Sequence, residues 1–94
     1  MVKVLRLHLK GDYWQQIKAG VKPFEFRQRT EYWKKRIEGT RYTHVEYIHG
    51  YPKADDQAKR FTRPYFGYEL QTIQHKHFGN KPVEVYAIHT KEPA

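Results

Sequence analysis

The sequence predicts an α+β domain of mainly β character: a small, closed or nearly closed barrel of five to six short strands with two short helices. Three observations carry that expectation. Strand-like segments with period-two alternation or aromatic and β-branched enrichment recur along the chain. Two short helical stretches fall between the first three of them, each ended by a glycine. With 94 residues, the chain has room for a single domain with one modest core, and closure would remove the edge strands that a small sheet exposes.

Taken in order, Val2 to Lys10 alternates, with Leu5, Leu7 and Leu9 on one face and Arg6, His8 and Lys10 on the other, the pattern of a half-buried strand. Asp12 offers an N-cap to a short helix, with Gln15 three residues on as a capping-box variant. Trp14, Ile17 and Tyr13 can form its apolar stripe, and Gly20 supplies a left-handed C-cap. Lys22 to Gln28 reads as a second strand, with Phe24 and Phe26 directed into the core and Glu25, Arg27 and Arg29 outward. Thr30 caps a second helix, Glu31 to Ile37, whose Lys34, Lys35 and Arg36 suit the negative end of the helix dipole. Tyr42 to His49 is the third strand, and Gly50 to Arg63 a long polar loop with at most one helical turn. Tyr65 to His75, bent at Gly67, is the fourth strand. Gly79-Asn80 turns the chain into the fifth, Val83 to His89, and residues after Thr90 form a tail.

The net charge of +8, with a pI near 9.8, bears on partners rather than on fold: a basic surface attracts polyanions, nucleic acid first among them. There are no cysteines, which excludes disulfides, thiolate metal sites and cysteine nucleophiles. No apolar run approaches the length of a membrane span, and the chain opens directly into a strand pattern with no signal-peptide hydrophobic region. A cytoplasmic protein without a membrane or disulfide partner is the expectation.

The most informative segment is Gly20-Val21-Lys22-Pro23-Phe24-Glu25-Phe26-Arg27, of the form G-x-K-x-x-E-x-R. At a helix-to-strand corner it gathers an ammonium, a carboxylate and a guanidinium. Such a group can grip an anionic, hydrogen-bonding ligand, with Arg27 forked onto a phosphate or a base edge. If the site is catalytic, Lys22, Glu25 and Arg27 are the candidates, with Lys22 as base or electrostatic stabiliser and Glu25 as its acid–base partner. The competing reading is structural: a Glu25–Arg27 ion pair that braces the barrel, with Lys22 solvated.

This segment and the layout around it resemble the ASCH family, the activating-signal-cointegrator homology domains. The likeness runs from the first strand through Ile17-Lys18-Ala19-Gly20, Lys22, Glu25 and Arg27 to Trp33-Lys34-Lys35-Arg36-Ile37, Glu38-Gly39 and Gly67-Tyr68-Glu69-Leu70. The resemblance implies a barrel related to the PUA RNA-binding fold, and recognition of RNA or a nucleotide in a cleft beside the helix-to-strand corner. It also implies an enzymatic alternative in that cleft, a ribonuclease or an acetylcytidine-type amidohydrolase. Lys22 matches the amidohydrolase lysine, Glu25 stands where those enzymes carry a threonine, and their distant glutamate has no evident counterpart.

Around this corner the expected partner is single-stranded RNA or a nucleotide, with no cofactor. Tyr47, Tyr51, Tyr65 and Tyr68 are candidate stacking rings, each lying on or beside a strand flanked by basic residues, with core or barrel-rim packing the competing reading for each. Two basic clusters are candidate phosphate contacts: Arg27 and Arg29 with Lys34, Lys35 and Arg36, and Lys53, Lys59, Arg60 and Arg63 around the long loop. Among the six histidines, His75 and His77 could share one side of a strand, yet no third metal ligand is evident, and polar strand-end histidines are the preferred reading.

Overall fold

Leucine alternation in the first strand sets up the fold. In the computed structural model, which describes residues 1–74, 76 and 79–93, β1 (Val4–Leu9) buries Leu5, Leu7 and Leu9 and exposes Arg6 and His8. It pairs in parallel with β3 (His44–His49), Leu7 opposite Tyr47. Parallel neighbours need a long crossover, and the intervening α1 (Gly11–Lys18), β2 (Phe24–Gln28) and α2 (Glu31–Ile37) supply it. β4 (Arg60–Pro64) adds antiparallel to β3, completing a sheet of order β1-β3-β4. The second sheet is antiparallel throughout, of order β2-β6-β5, from β5 (Tyr68–Ile73) and β6 (Val83–His89). Between them lies one core. Leu5, Leu7, Leu9, Val45 and Tyr47 come from the first sheet, Tyr86 and Ile88 from the second, and Trp14, Ile17 and Ile37 from the helices.

The expected closed or nearly closed PUA-like barrel is therefore corrected. Among the described residues, six strands form two open three-stranded sheets, and no ladder joins β1 to β2 or β4 to β5. On one side the reason is chemical. Pro64, which has no N–H to offer a ladder, ends β4, and Gly67 (φ 84°) redirects the chain. The connector changes sheets: Tyr65 N–H donates to Thr43 O at 3.0 Å, whereas Gly67 O accepts from His89 N–H at 3.0 Å. On the other side, the edges of β1 and β2 are bridged by a side chain, as described below.

Three element assignments also change. Asp12 is not the N-cap. α1 begins at Gly11 after Lys10, with no side-chain cap, and Asp12 sits in the first turn, where its charge suits the helix dipole. A Cβ on Gly11 would stand 2.7 Å from His49 Nε2, so the helix starts on the residue that lets the His49 ring lie against it. The chain from Gly50 to Arg63 is not one long loop, because Gln57–Lys59 forms a 3-10 turn and β4 starts at Arg60. Among the described residues, the segment read as a fourth strand from Tyr65 to His75 forms a strand over Tyr68–Ile73. The His75 and His77 reading lies outside the described residues. Among those residues no group of three or more His, Asp or Glu is arranged to hold a metal, and no helix is long and apolar enough to cross a membrane.

The helix ends follow the sequence more closely. α1 closes in a Schellman motif, with Val21 N–H on Gln16 O and Gly20 N–H on Ile17 O, both at 3.0 Å, and Gly20 at φ 78°. Thr30 caps α2, its hydroxyl accepting from Trp33 N–H at 3.4 Å. The far end of α2 is pinned by a network. Arg29 Nε donates to Glu38 Oε2 at 2.9 Å and its Nη1 to Glu84 Oε1 at 3.0 Å, while Tyr86 Oη donates to Glu38 Oε2 at 2.5 Å. The Arg29 hydrogen bond holds the Glu38 carboxyl below its ordinary value, and burial followed by the Glu38 contact pushes Tyr86 up to about 12.

Candidate functional site

β2 carries the site, and it is inverted relative to expectation. Period two does place Glu25 and Arg27 on one face, but that face is the inner one. In the antiparallel register Glu25 lies opposite Ile88 and Arg27 opposite Tyr86, both core residues. Phe24 and Phe26 take the other face and stay only half-buried. Glu25 is the buried member, 6% exposed. A carboxylate out of water needs countercharge and hydrogen bonds, and two cations meet it. Arg27 donates to Glu25 Oε2 through Nη2 at 2.7 Å and through Nε at 3.0 Å. Lys22 Nζ stands 3.5 Å from Oε1 and also donates to Phe24 O.

Arg27 does more than neutralise Glu25. β1 and β2 are edge strands of their respective sheets, and Arg27 Nη2 reaches across to donate to His8 O at 2.9 Å. A guanidinium has donors enough to serve a carboxylate and a carbonyl together. It thus fastens the unpaired edge of β1 to β2 where main-chain pairing does not. Its planar group also lies over Trp33, 5.0 Å from the ring centroid.

A cleft of about 710 Å³ opens at this seam. Lys22, Glu25 and Arg27 line it together, so the three charges of the G-x-K-x-x-E-x-R corner do share one open hollow. β1 contributes His8 and Leu9, followed by Lys10; α1 contributes Tyr13; α2 contributes Trp33; and Ile73 and Gln74 come from the end of β5. Lys22 Nζ sits between two of the rings, 5.4 Å from the Tyr13 centroid and 5.1 Å from that of Phe26. Among the described lining residues the cations Lys10, Lys22 and Arg27 face the single carboxylate of Glu25, so the walls favour an anion.

The Glu25–Arg27 pair is a brace, and it is also a wall of the cleft. Lys22 is not simply solvated, for it is paired with Glu25.

The remaining candidates lie elsewhere. Arg29 is held by Glu38 and Glu84 and does not line the cleft. Lys34, Lys35 and Arg36 are exposed on α2, with Arg36 folded onto Tyr32 at 3.6 Å. Arg63 lies on Phe61 at 4.6 Å. Arg60 ties the loop by donating to Lys53 O and Asp56 O at 3.2 and 3.4 Å. Of the residues in the two basic clusters, only Arg27 is among those that line the cleft.

Of the tyrosines, Tyr47 is a core residue, 0% exposed, and no base can reach its face. Burial, with the Glu25 charge as second cause, pushes its hydroxyl well above the ordinary range. Tyr65 and Tyr68 are half-buried against the core, Tyr65 edge-on to Tyr42 and Tyr68 edge-on to Tyr86. Burial raises Tyr65 to about 12. Tyr51 alone of the four is fully exposed.

What the sequence reading misses is the ring wall. Tyr13, Phe26 and Trp33 look like core residues because apolar periodicity marks them so. Position within the charged corner, between Glu25 and Arg27, could have found Phe26; Tyr13 and Trp33 lie six or more residues from that segment, and only the fold brings them to it. Comparison of the chain with protein-family models, with curated proteins and with solved structures gave no match.

Proposed function

We propose that the cleft binds a nucleotide, either free or as one unit of single-stranded RNA. One observation carries this reading: Lys22, Glu25 and Arg27 converge in an open cleft whose cations are interleaved with aromatic faces. A nucleotide presents the complementary set, a π-face, polar base edges and an anionic phosphate. The volume falls within the range of roughly 300–1,000 Å³ typical of small-ligand sites. In this reading Lys10 and Lys22 take the phosphate, and Tyr13, Phe26 or Trp33 takes the base. Arg27 keeps its brace while offering the edge of its guanidinium. The likeness of the Gly20–Arg27 segment to the ASCH family supports the same assignment and forms part of the proposal. So does a cytoplasmic setting, in which such ligands are abundant.

A second reading rests on the 3.5 Å approach of Lys22 Nζ to Glu25 Oε1 inside the cleft. An amine and a carboxylate so placed are the groups that a ribonuclease or a modified-nucleoside hydrolase would use for proton transfer.

Titration of a labelled RNA oligomer at several salt concentrations tests the first reading. Lys10→Ala and Lys22→Ala are each expected to weaken binding and to flatten the slope of log affinity against log salt by about 0.7 for each phosphate no longer neutralised. Equal binding by the wild type and by the double variant would remove the cleft from consideration. Mass analysis of the same RNA, and of acetylated cytidine, decides the second reading: intact material means binding alone, whereas Lys22-dependent conversion means an enzyme.

A further inference from the structure

A second aromatic surface adjoins the cleft without belonging to it. Tyr51 is 88% exposed, unusual for a ring held in a fixed pose. It is held by His8, on which it stacks nearly parallel, with centroids 4.4 Å apart and planes at 12°. His8 is fixed in turn. Its Nδ1 lies 2.8 Å from Gly50 O, and since a carbonyl can only accept, Nδ1 carries the proton.

The chain beneath Tyr51 is fastened at both ends. Gly50 N–H donates to Leu9 O at 2.8 Å, and Arg60 bonds to Lys53 O and Asp56 O. The ring is thus preorganised, with one face on His8 and the other open, so stacking on it requires little further ordering.

His8 also lines the large cleft, while Tyr51 helps to wall a shallow hollow of about 280 Å³ together with His49, Pro52 and Lys59. The His8–Tyr51 pair is therefore the partition between two adjoining hollows, and each hollow has a cation, Lys10 or Lys22 in one and Lys59, with Asp56 also in the lining, in the other.

From this juxtaposition we infer that Tyr51 is a second nucleotide subsite: the ligand is a single strand of at least two nucleotides, one seated in the cleft and its neighbour stacked on the open face of Tyr51. The inference rests on the nucleotide reading of the cleft and extends it from a mononucleotide to a strand. A base stacked on an aromatic ring needs no particular sequence, so this subsite adds affinity for strand length rather than for base identity.

Two probes separate the possibilities: uridine monophosphate, followed by calorimetry, and a labelled hexauridine, followed by fluorescence anisotropy. Tyr51→Ala is expected to weaken hexauridine binding by about fivefold or more, to leave uridine monophosphate binding unchanged, and to leave the melting temperature unchanged because the side chain is exposed. Tyr51→Phe, which keeps the ring, is expected to restore hexauridine binding. If Tyr51→Ala binds hexauridine like the wild type while Lys22→Ala does not, the second subsite is refuted and the cleft stands. Equal loss for both probes also refutes it, because the ring would then shape the cleft itself. If the wild type binds neither probe, the cleft reading fails, and the subsite with it.

Discussion

Arg27→Ala is expected to destabilise the protein by about 3 kcal/mol, read as a fall in the urea midpoint with the slope unchanged. Two losses combine. Glu25, 6% exposed, would keep only the longer pairing with Lys22, and a buried carboxylate deprived of its hydrogen-bonded cation retains its desolvation cost. The link from β2 to His8 O would go as well, leaving the facing edges of two open sheets without their side-chain bridge. The partner substitution makes the test specific. Glu25→Gln in the Arg27→Ala background removes the stranded charge, so the double variant should lose clearly less than the sum of the two single losses. Additive losses, or a neutral Arg27→Ala, would show that the pair is no brace.

Trp14→Ala should be more severe, at about 4 kcal/mol, a large share of the roughly 5–15 kcal/mol that holds a domain folded. Trp14 joins α1 to the first sheet through three neighbours. Its ring packs on His49 and on Phe61, each with centroids 5.4 Å apart, and Nε1–H donates to Tyr47 O at 3.0 Å. Alanine would leave a cavity beneath α1 and a strand carbonyl short of a donor. Trp14→Phe keeps most of the packing and loses only the hydrogen bond, for which about 1 kcal/mol is expected. Thermal or urea unfolding of the two variants separates packing from hydrogen bonding. A Trp14→Phe loss as large as that of Trp14→Ala would overturn the packing argument.

How much of this was legible in the sequence depends on the kind of signal. Local signals transferred well. Leu5, Leu7 and Leu9 share a buried face, Thr30 caps α2, and Gly20 ends α1 in a left-handed turn. Period two also correctly placed Glu25 and Arg27 together, but it states only which residues share a face, not which face is inward. The phenylalanines of β2 drew the inner assignment. The fold overrules them by burying Glu25 and leaving Phe24 and Phe26 half-buried, and β6 offers no hint of this, because Val85, Tyr86, Ala87 and Ile88 are all buried and do not alternate.

The barrel was misjudged for a related reason. Closure depends on which edges meet: Pro64 and Gly67 are visible locally, but the change of sheet that follows them and the β1–β3 parallel pairing are long-range and are not. β4 was hidden in a stretch of polar residues because Arg60, Thr62 and Arg63 do not look like a strand until Tyr47 and Phe61 pair across from one another.

At the site, the charged corner was readable from the spacing of Lys22, Glu25 and Arg27. The partners brought in from β1, α1, α2 and the end of β5 were not, since only the fold assembles them.

The central claim, that the seam between β1 and β2 is where an RNA strand binds, is tested most directly by following backbone amide resonances while a short RNA is added. The expected result is a set of shifts concentrated at Lys10, Lys22, Glu25, Arg27 and Trp33, extending to Tyr51 for an oligomer, and shrinking as salt is raised. Shifts confined to the exposed basic face of α2 at Lys34, Lys35 and Arg36, with the seam unmoved at saturating RNA, would contradict it.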